Sequence, residues 1–157
     1  MFYLKSFTVI MLLVFTLVAI ATGLSQEVSL KKKDMPKAIL AAFNTSYPKA
    51  TIKGYAKETE NGNISYEIES MEGKTHRDVS YTADGSVVSL EESIAYADVP
   101  EAIRNVVTKD YPKAKVTVCE KVTVGAVTNF ELVVRSGKKK QELVFRADGT
   151  LVKQEKK

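Results

Sequence analysis

Asp34-Met35-Pro36-Lys37-Ala38-Ile39 returns 64 residues later as Asp98-Val99-Pro100-Glu101-Ala102-Ile103. Outward from this pair, the same offset continues without a gap. Tyr47-Pro48-Lys49-Ala50 meets Tyr111-Pro112-Lys113-Ala114, and Tyr66-Glu67-Ile68 meets Phe130-Glu131-Leu132. Gly73-Lys74 meets Gly137-Lys138, and Ala83-Asp84-Gly85-Ser86 meets Ala147-Asp148-Gly149-Thr150. Roughly 18 of 58 aligned pairs are identical, with every turn signal in register, so one small unit is written twice.

Each unit reads as a helix followed by four strands. Asp34 and Asp98 are N-cap candidates, each with a proline two residues on in the first turn. Ile39, Leu40, Phe43 and Tyr47 form a helical apolar stripe, as do Ile103, Val106, Val107 and Tyr111. Pro48 and Pro112 end the helices, because the residue before proline is pushed out of the α region. The strands are expected at 51–57, 64–70, 75–82 and 87–91, and at 115–121 and 151–155 in the second copy. Asp84-Gly85 and Asp148-Gly149 are type I′ hairpin signals. Alternation sends Ile64, Tyr66, Ile68, Val79 and Tyr81 to one face, with Phe130, Leu132, Val134, Leu143 and Phe145 in the second unit. Ser65, Glu67, Glu69, Asp78, Ser80 and Thr82 point the other way, as do Asn129, Glu131, Arg135, Glu142 and Arg146. One-sided burial predicts an α+β fold: two tandem helix-plus-four-stranded antiparallel units, helices on one sheet face. A lone unit of about 58 residues is marginally stable, so the two are expected to pack together.

The order Asp-x-Pro-x-Ala-Ile, Tyr-Pro-x-Ala, aromatic-Glu and Asp-Gly, doubled, resembles the PepSY-like, β-lactamase-inhibitor-like family. The resemblance covers nearly all of the chain after its apolar N-terminus. It implies the fold just described, a secreted or periplasmic bacterial protein, and a binding or inhibitory role through the exposed sheet face. It carries over no individual binding residue, because the matching positions are structural ones.

The N-terminus reads as an address. Lys5 precedes the apolar run Phe7 to Ala21, and small and polar residues follow, the three regions of a secretory signal peptide. The run is shorter than the roughly 20 residues of a spanning helix, although Leu24 extends it toward an uncleaved anchor. Cleavage fits after Ala21 or after Ser25, and the lack of a nearby Cys argues against a lipoprotein. The expected organisation is a signal peptide over 1–25, a tail over 26–33, units over 34–92 and 98–157, and a linker over 93–97. The membrane is then met only in transit.

Composition trims the alternatives. The 157 residues hold 23 Lys and Arg, 19 Asp and Glu, one His and one Cys, for a net charge of +4. One Cys excludes an internal disulfide framework and a Cys-based zinc cluster, and one His excludes a multi-His metal site. Cys119, in a strand-like run, reads as a small buried hydrophobe. The charge is uneven: residues 34–91 hold 6 basic and 9 acidic side chains, residues 98–155 hold 11 and 8. That polarity suits steering toward a specific partner rather than nucleic-acid binding. The basic runs Lys31-Lys32-Lys33 and Lys138-Lys139-Lys140 lack interleaved aromatics for base stacking, and no phosphate loop, nucleophile elbow or metal-ligand spacing occurs.

One constellation stands out. A second hairpin centred on Glu72-Gly73 sets Glu67 opposite Asp78 and Glu131 opposite Glu142. A loop of about five residues after Thr59 sets Lys57 beside Glu67, and Lys121 beside Glu131. Each exposed sheet then carries a Lys–acid–acid row, with His76 opposite Glu69 and Tyr55 as an exposed aromatic anchor. The row reads as a solvated cross-strand ion pairing, or as a binding stripe made of Tyr55, Lys57, Glu67, Asp78, Lys121, Glu131 and Glu142. A solvated face has nothing to raise a carboxyl pKa, so no catalytic residue is assigned. The expected function is a non-enzymatic binding module, with no cofactor and no metal, recognising an envelope protein or peptide. An envelope glycan or cation binder is the alternative, followed by a carboxylate-pair hydrolase.

Overall fold

The computed structural model describes residues 25–156, so the signal-peptide reading lies outside the described residues. Helix α1 (Lys37–Ser46) is followed by β2 (Thr51–Glu60), β3 (Asn63–Glu72), β4 (Thr75–Tyr81) and β5 (Val87–Ser93). Helix α2 (Glu101–Asp110) is followed by β6 (Lys115–Val124), β7 (Val127–Ser136), β8 (Lys139–Arg146) and β9 (Leu151–Lys156). A further strand, β1 (Ser25–Ser29), precedes α1 and pairs with β2, where the sequence reading places only a tail. All nine strands form one antiparallel sheet in sequential order. The two halves are therefore joined edge to edge through β5 and β6 rather than stacked.

Both helices bury their stripes on the same side. Ile39 and Phe43 of α1 pack on Ile68, Val79 and Tyr81, with Met35 completing this core. Ile103 and Val107 of α2 pack on Phe130, Leu132, Val134, Leu143 and Phe145, joined by Val99 and Cys119. Cys119 is free and buried, and burial, aided by Glu120, pushes its thiol up to about 11. Two inward assignments weaken toward the strand end: Ile64 is exposed and Tyr66 only partly covered. Among the described residues no helix is long and apolar enough to cross a membrane.

The helix starts differ from expectation. Pro36 and Pro100 occupy the N-cap positions, without a side-chain cap. Asp34 and Asp98 instead close short 3-10 turns at 32–34 and 96–98, which steer the chain into each helix. The prolines ahead of Lys37 and Glu101 donate no N–H, and their fixed φ is already helical, so a preceding side-chain cap adds little. The helices do end before Pro48 and Pro112, with Tyr47 and Tyr111 as C-caps.

The Asp-Gly turns are not type I′, which requires positive φ at both central residues. Only Gly85 and Gly149 take it, at 90° and 88°. Thr82 N–H donates to Ser86 O and Gly85 N–H to Thr82 O, so the loop is one residue longer and ends on a left-handed glycine. This turn also touches its helix. A Cβ at Gly85 would stand 3.0 Å from the Ala38 carbonyl oxygen, and one at Gly149 3.1 Å from that of Ala102. Gly73 also has positive φ, but its Cβ would meet open space. Gly85→Ala is therefore expected to cost about 1–2 kcal/mol, and more than Gly73→Ala, in paired denaturant melts.

Candidate functional site

The sheet face away from the helices carries the acids. Alternation along the strands puts Glu67 and Glu69 of β3, Asp78 of β4 and Glu91 of β5 on it. Glu120 of β6, Glu131 of β7 and Glu142 of β8 continue it into the second half. Glu69, Asp78 and Glu91 are directly opposite one another across three adjacent strands. Glu120 and Glu131 form a second opposed pair, one step along the sheet.

The register departs from the expected rows. Glu67 faces Ser80, and Asp78 faces Glu69; Glu131 faces Val144, and Glu142 faces Val133. The cause is the Gly73-Lys74 turn, in which glycine at the first of two loop positions takes the positive φ. It pairs Glu72 with Thr75 and displaces every partner by two residues. A two-residue shift preserves the face, so the acids stay together but change neighbours.

The lysines are lost to the other face. Asn61-Gly62 is a two-residue turn with positive φ at both positions, pairing Glu60 with Asn63. Lys57 is thereby set opposite Tyr66, and Lys121 opposite Phe130, on the helix side. The longer loop expected after Thr59 differs by one in register, which flips a side chain to the opposite face. Tyr55 likewise pairs with Ile68 and packs half-buried against the first core, not as an exposed anchor. The Lys–acid–acid row does not form. His76 pairs with Met71 rather than Glu69, yet its Nε2 reaches diagonally to Glu69 Oε1 at 3.1 Å. The carboxylate of Glu69 lies over Gly54, whose missing Cβ would stand 2.9 Å from Oε2.

Nor is this face solvated. Glu67 and Asp78 are 7% exposed, Glu91 8%, and Glu120, Glu131 and Glu142 less. Ser80, Ser89, Val122, Val133 and Val144 on the same face are buried with them. The pKa values follow. Burial, then Asp78 and the acids around it, pushes Glu67 up to about 9. Burial raises Asp78 to about 7, with His76 opposing the shift. Burial, then Glu120 and Glu131, pushes Glu91 up to about 10. Glu91 and Glu120 also hydrogen-bond each other, which requires one of the two to hold a proton. This pair bridges β5 and β6, the seam between the halves. Asp78 Oδ1 is buried without a hydrogen-bond partner, and its other oxygen stands 3.6 Å from His76 Nδ1.

The arrangement holds protons more readily than metal. Among the described residues, no group of three or more His, Cys, Asp or Glu is placed to hold a metal ion. Glu58, itself raised by burial and by Glu27 and Glu60, and the partly exposed Glu69 and His76 form its solvent-facing rim. Sequence reasoning named Glu67, Asp78, Glu131 and Glu142 but passed over Glu91 and Glu120 as site residues. The signal for Glu91 was present: it is identical to its counterpart, Glu155, in the second copy.

The profile of the family described as "Putative beta-lactamase-inhibitor-like, PepSY-like" matches residues 24–89 and again 64–153. No curated protein matches the sequence. Among solved structures, a protein from Bacteroides eggerthii DSM 20697, described as a "putative periplasmic" one, is similar at a TM-score of 0.66 and 18% identity, covering 78% of this chain and 88% of its own. A DUF2874 family protein from Bacteroides ovatus ATCC 8483 gives 0.64 and 16%, covering 78% and 87%. A BLIP-like protein from Bacteroides fragilis NCTC 9343 gives 0.61 and 22%, covering 78% and 86%. At these identities the likeness is one of fold.

Proposed function

Since the chain belongs to the PepSY-like, beta-lactamase-inhibitor-like family, we propose that it is an exported, periplasmic, non-enzymatic module that recognises a protein or peptide through the helix-free sheet face. The observation that carries the reading is one-sidedness. Both helices cover the same face of a nine-stranded sheet, and the other face gathers acids from every strand, from Glu27 of β1, opposite Glu58, to Glu155 of β9, opposite Glu142. On β1–β5 the one side chain of that face able to oppose them is His76, apart from Lys53 at the β2 irregularity. The buried Glu67 and Glu91 hold protons and the second half of the face carries Lys115, Arg135, Lys140 and Arg146, so the part open to a basic contact surface is the acidic rim of the first half, at Glu58 and Glu69. The apolar N-terminus and the periplasmic description of a structural neighbour support export.

The partner-facing residues are the rim, Glu58 and Glu69, because the buried carboxyls cannot be charge-reversed without unfolding. The family's inhibitor-like description makes a purified β-lactamase the first protein to assay, followed by capture from an envelope extract. Glu58→Lys with Glu69→Lys, at unchanged Tm, is expected to weaken capture of any partner about fivefold or more by slowing association. Equal capture by the native and doubly substituted chains overturns the sheet-face reading.

A further inference from the structure

The two halves use the same register under the 64-residue offset, yet they differ at one place on the helix side. Ser70, Arg77 and Glu92 lie in one row across β3, β4 and β5; Val134, Gln141 and Lys156 are their counterparts across β7, β8 and β9. In the first half Arg77 lies 4.1 Å above the Tyr47 ring, at the end of α1. Its Nε donates to Glu92 Oε1 at 2.7 Å and its Nη1 to Glu72 Oε2 at 3.3 Å. The side chain is 10% exposed. The chain thus fills the space beside this helix end with its own guanidinium and neutralises it with two carboxylates.

In the second half all three charged groups change. Gln141 stands for Arg77, Ser136 for Glu72 and Lys156 for Glu92, while the tyrosine is kept as Tyr111. Glutamine is shorter and uncharged, and a cleft of about 230 Å³ remains where the guanidinium would lie. Asp110, Tyr111, Lys113, Ser136, Lys139 and Gln141 contribute to its walls. Among the described residues, no cation covers the Tyr111 ring, and the side chains of Lys113, Ser136, Lys139 and Gln141 are not engaged with one another or with neighbours.

We propose that this cleft binds a saccharide carrying a carboxylate, its ring on Tyr111 and its acid group at Lys113 and Lys139. Charge excludes the occupant used by the first half. The two carboxylates that clamp a guanidinium are replaced by a hydroxyl and an ammonium, so a cation meets Lys113 and Lys139 in the walls, against the single carboxylate of Asp110. Shape and polarity select the rest. The volume lies below the roughly 300–1,000 Å³ of drug-sized pockets, which suits a single ring. An aromatic floor takes the apolar face of such a ring. Ser136, Gln141 and Asp110 offer donors and acceptors for hydroxyls, and a lysine pair supplies the charge-assisted hydrogen bonds a carboxylate needs. The site lies on the face opposite the acids, so it stands or falls independently of the sheet-face reading.

The test is an amide NMR titration of a chain beginning at Ser25, which holds every described element, with glucuronate, glucose and acetate as probes. Glucuronate is expected to give saturable shifts at residues 110–114 and 136–141, and to bind about tenfold or more tightly than either glucose or acetate. Gln141→Arg with Ser136→Glu and Lys156→Glu transplants the first half's filled arrangement. At unchanged Tm it is expected to abolish those shifts, and Lys139→Ala alone to weaken them. Equal shifts from all three probes, no saturable shift at the cleft, or undiminished binding by the folded triple variant each overturn the proposal.

Discussion

Stability is expected to fall as pH rises from about 5 to about 9, the reverse of ordinary acid denaturation. Glu67, Asp78 and Glu91 have folded-state pKa values pushed to about 9, 7 and 10, against 4.5, 3.8 and 4.5 for the free groups. A group raised on folding contributes stability that is fully present below its unfolded pKa and is lost as pH climbs through its folded pKa. The window therefore opens near pH 4–5, and Asp78 reaches its folded value first. Each proton held only by the folded chain is worth about 1.4 kcal/mol per pH unit, but these neighbours titrate together and share the penalty. A combined loss of several kcal/mol by pH 9 is expected, a large share of a small domain's stability. Asp84 and Asp148 act the other way: hydrogen bonds from Thr82 and Ser86, and from Thr150, lower their pKa. Their contribution is lost in acid, so maximal stability falls in the mildly acidic range. Thermal melts from pH 4 to 9 measure this directly. Glu91→Gln keeps a hydrogen-bonding partner for Glu120 without needing a proton. It is expected to leave the acid-side Tm unchanged and to flatten the alkaline fall. A Tm that rises toward pH 8, or a Glu91→Gln chain with the native pH profile, refutes the proton-loaded seam.

The fold was legible because independent signals agreed twice. The repeated Pro-Lys/Glu-Ala-Ile start, the Tyr-Pro stop and the alternation through Tyr66-Glu67-Ile68 each recur at the same offset, so an error in one copy is corrected by the other. The acid face was legible for the same reason: alternation survives a two-residue register error. What alternation cannot report is hairpin length. Taking Asn61-Gly62-Asn63 as part of a longer loop changed the register by one and put Lys57 and Lys121 on the wrong face. Burial of the acids was invisible for a different reason. A strand alternating apolar and acidic residues reads as half-solvated, and nothing in Tyr66-Glu67-Ile68-Glu69 distinguishes a buried glutamate from an exposed one. The cleft at Tyr111 was encoded in plain view, as Gln141 against Arg77. Its meaning required the Arg77–Tyr47 contact, which no spacing in the sequence announces.

Phe43→Ala is expected to cost about 3–5 kcal/mol and to split unfolding into two steps. Phe43 is fully buried, packs on Ile68 and Val79 from α1, and lies 5.2 Å from the Tyr47 ring, so truncation empties the centre of the first core. That core shares no side chain with the second one, which is built from Ile103, Val107, Leu132, Leu143 and Phe145. What joins them is the β5–β6 ladder, five pairs from Ser89–Val124 to Ser93–Glu120, against nine pairs between β2 and β3. Across this ladder Glu91 meets Glu120 on one face and Glu92 faces Lys121 on the other, so apolar burial contributes little to the seam. The native chain is expected to melt in one transition, because its two halves are built alike around separate cores and lose them at similar temperatures. Once Phe43 is lost, the first half falls below its neighbour by more than the seam can offset. Calorimetry then shows a calorimetric enthalpy above the van't Hoff value, and hydrogen exchange shows protection retained in β7 and β8 after β3 and β4 have opened. A single sharp transition for Phe43→Ala, with uniform loss of protection, makes the nine strands one cooperative unit, with the seam as strong as either core.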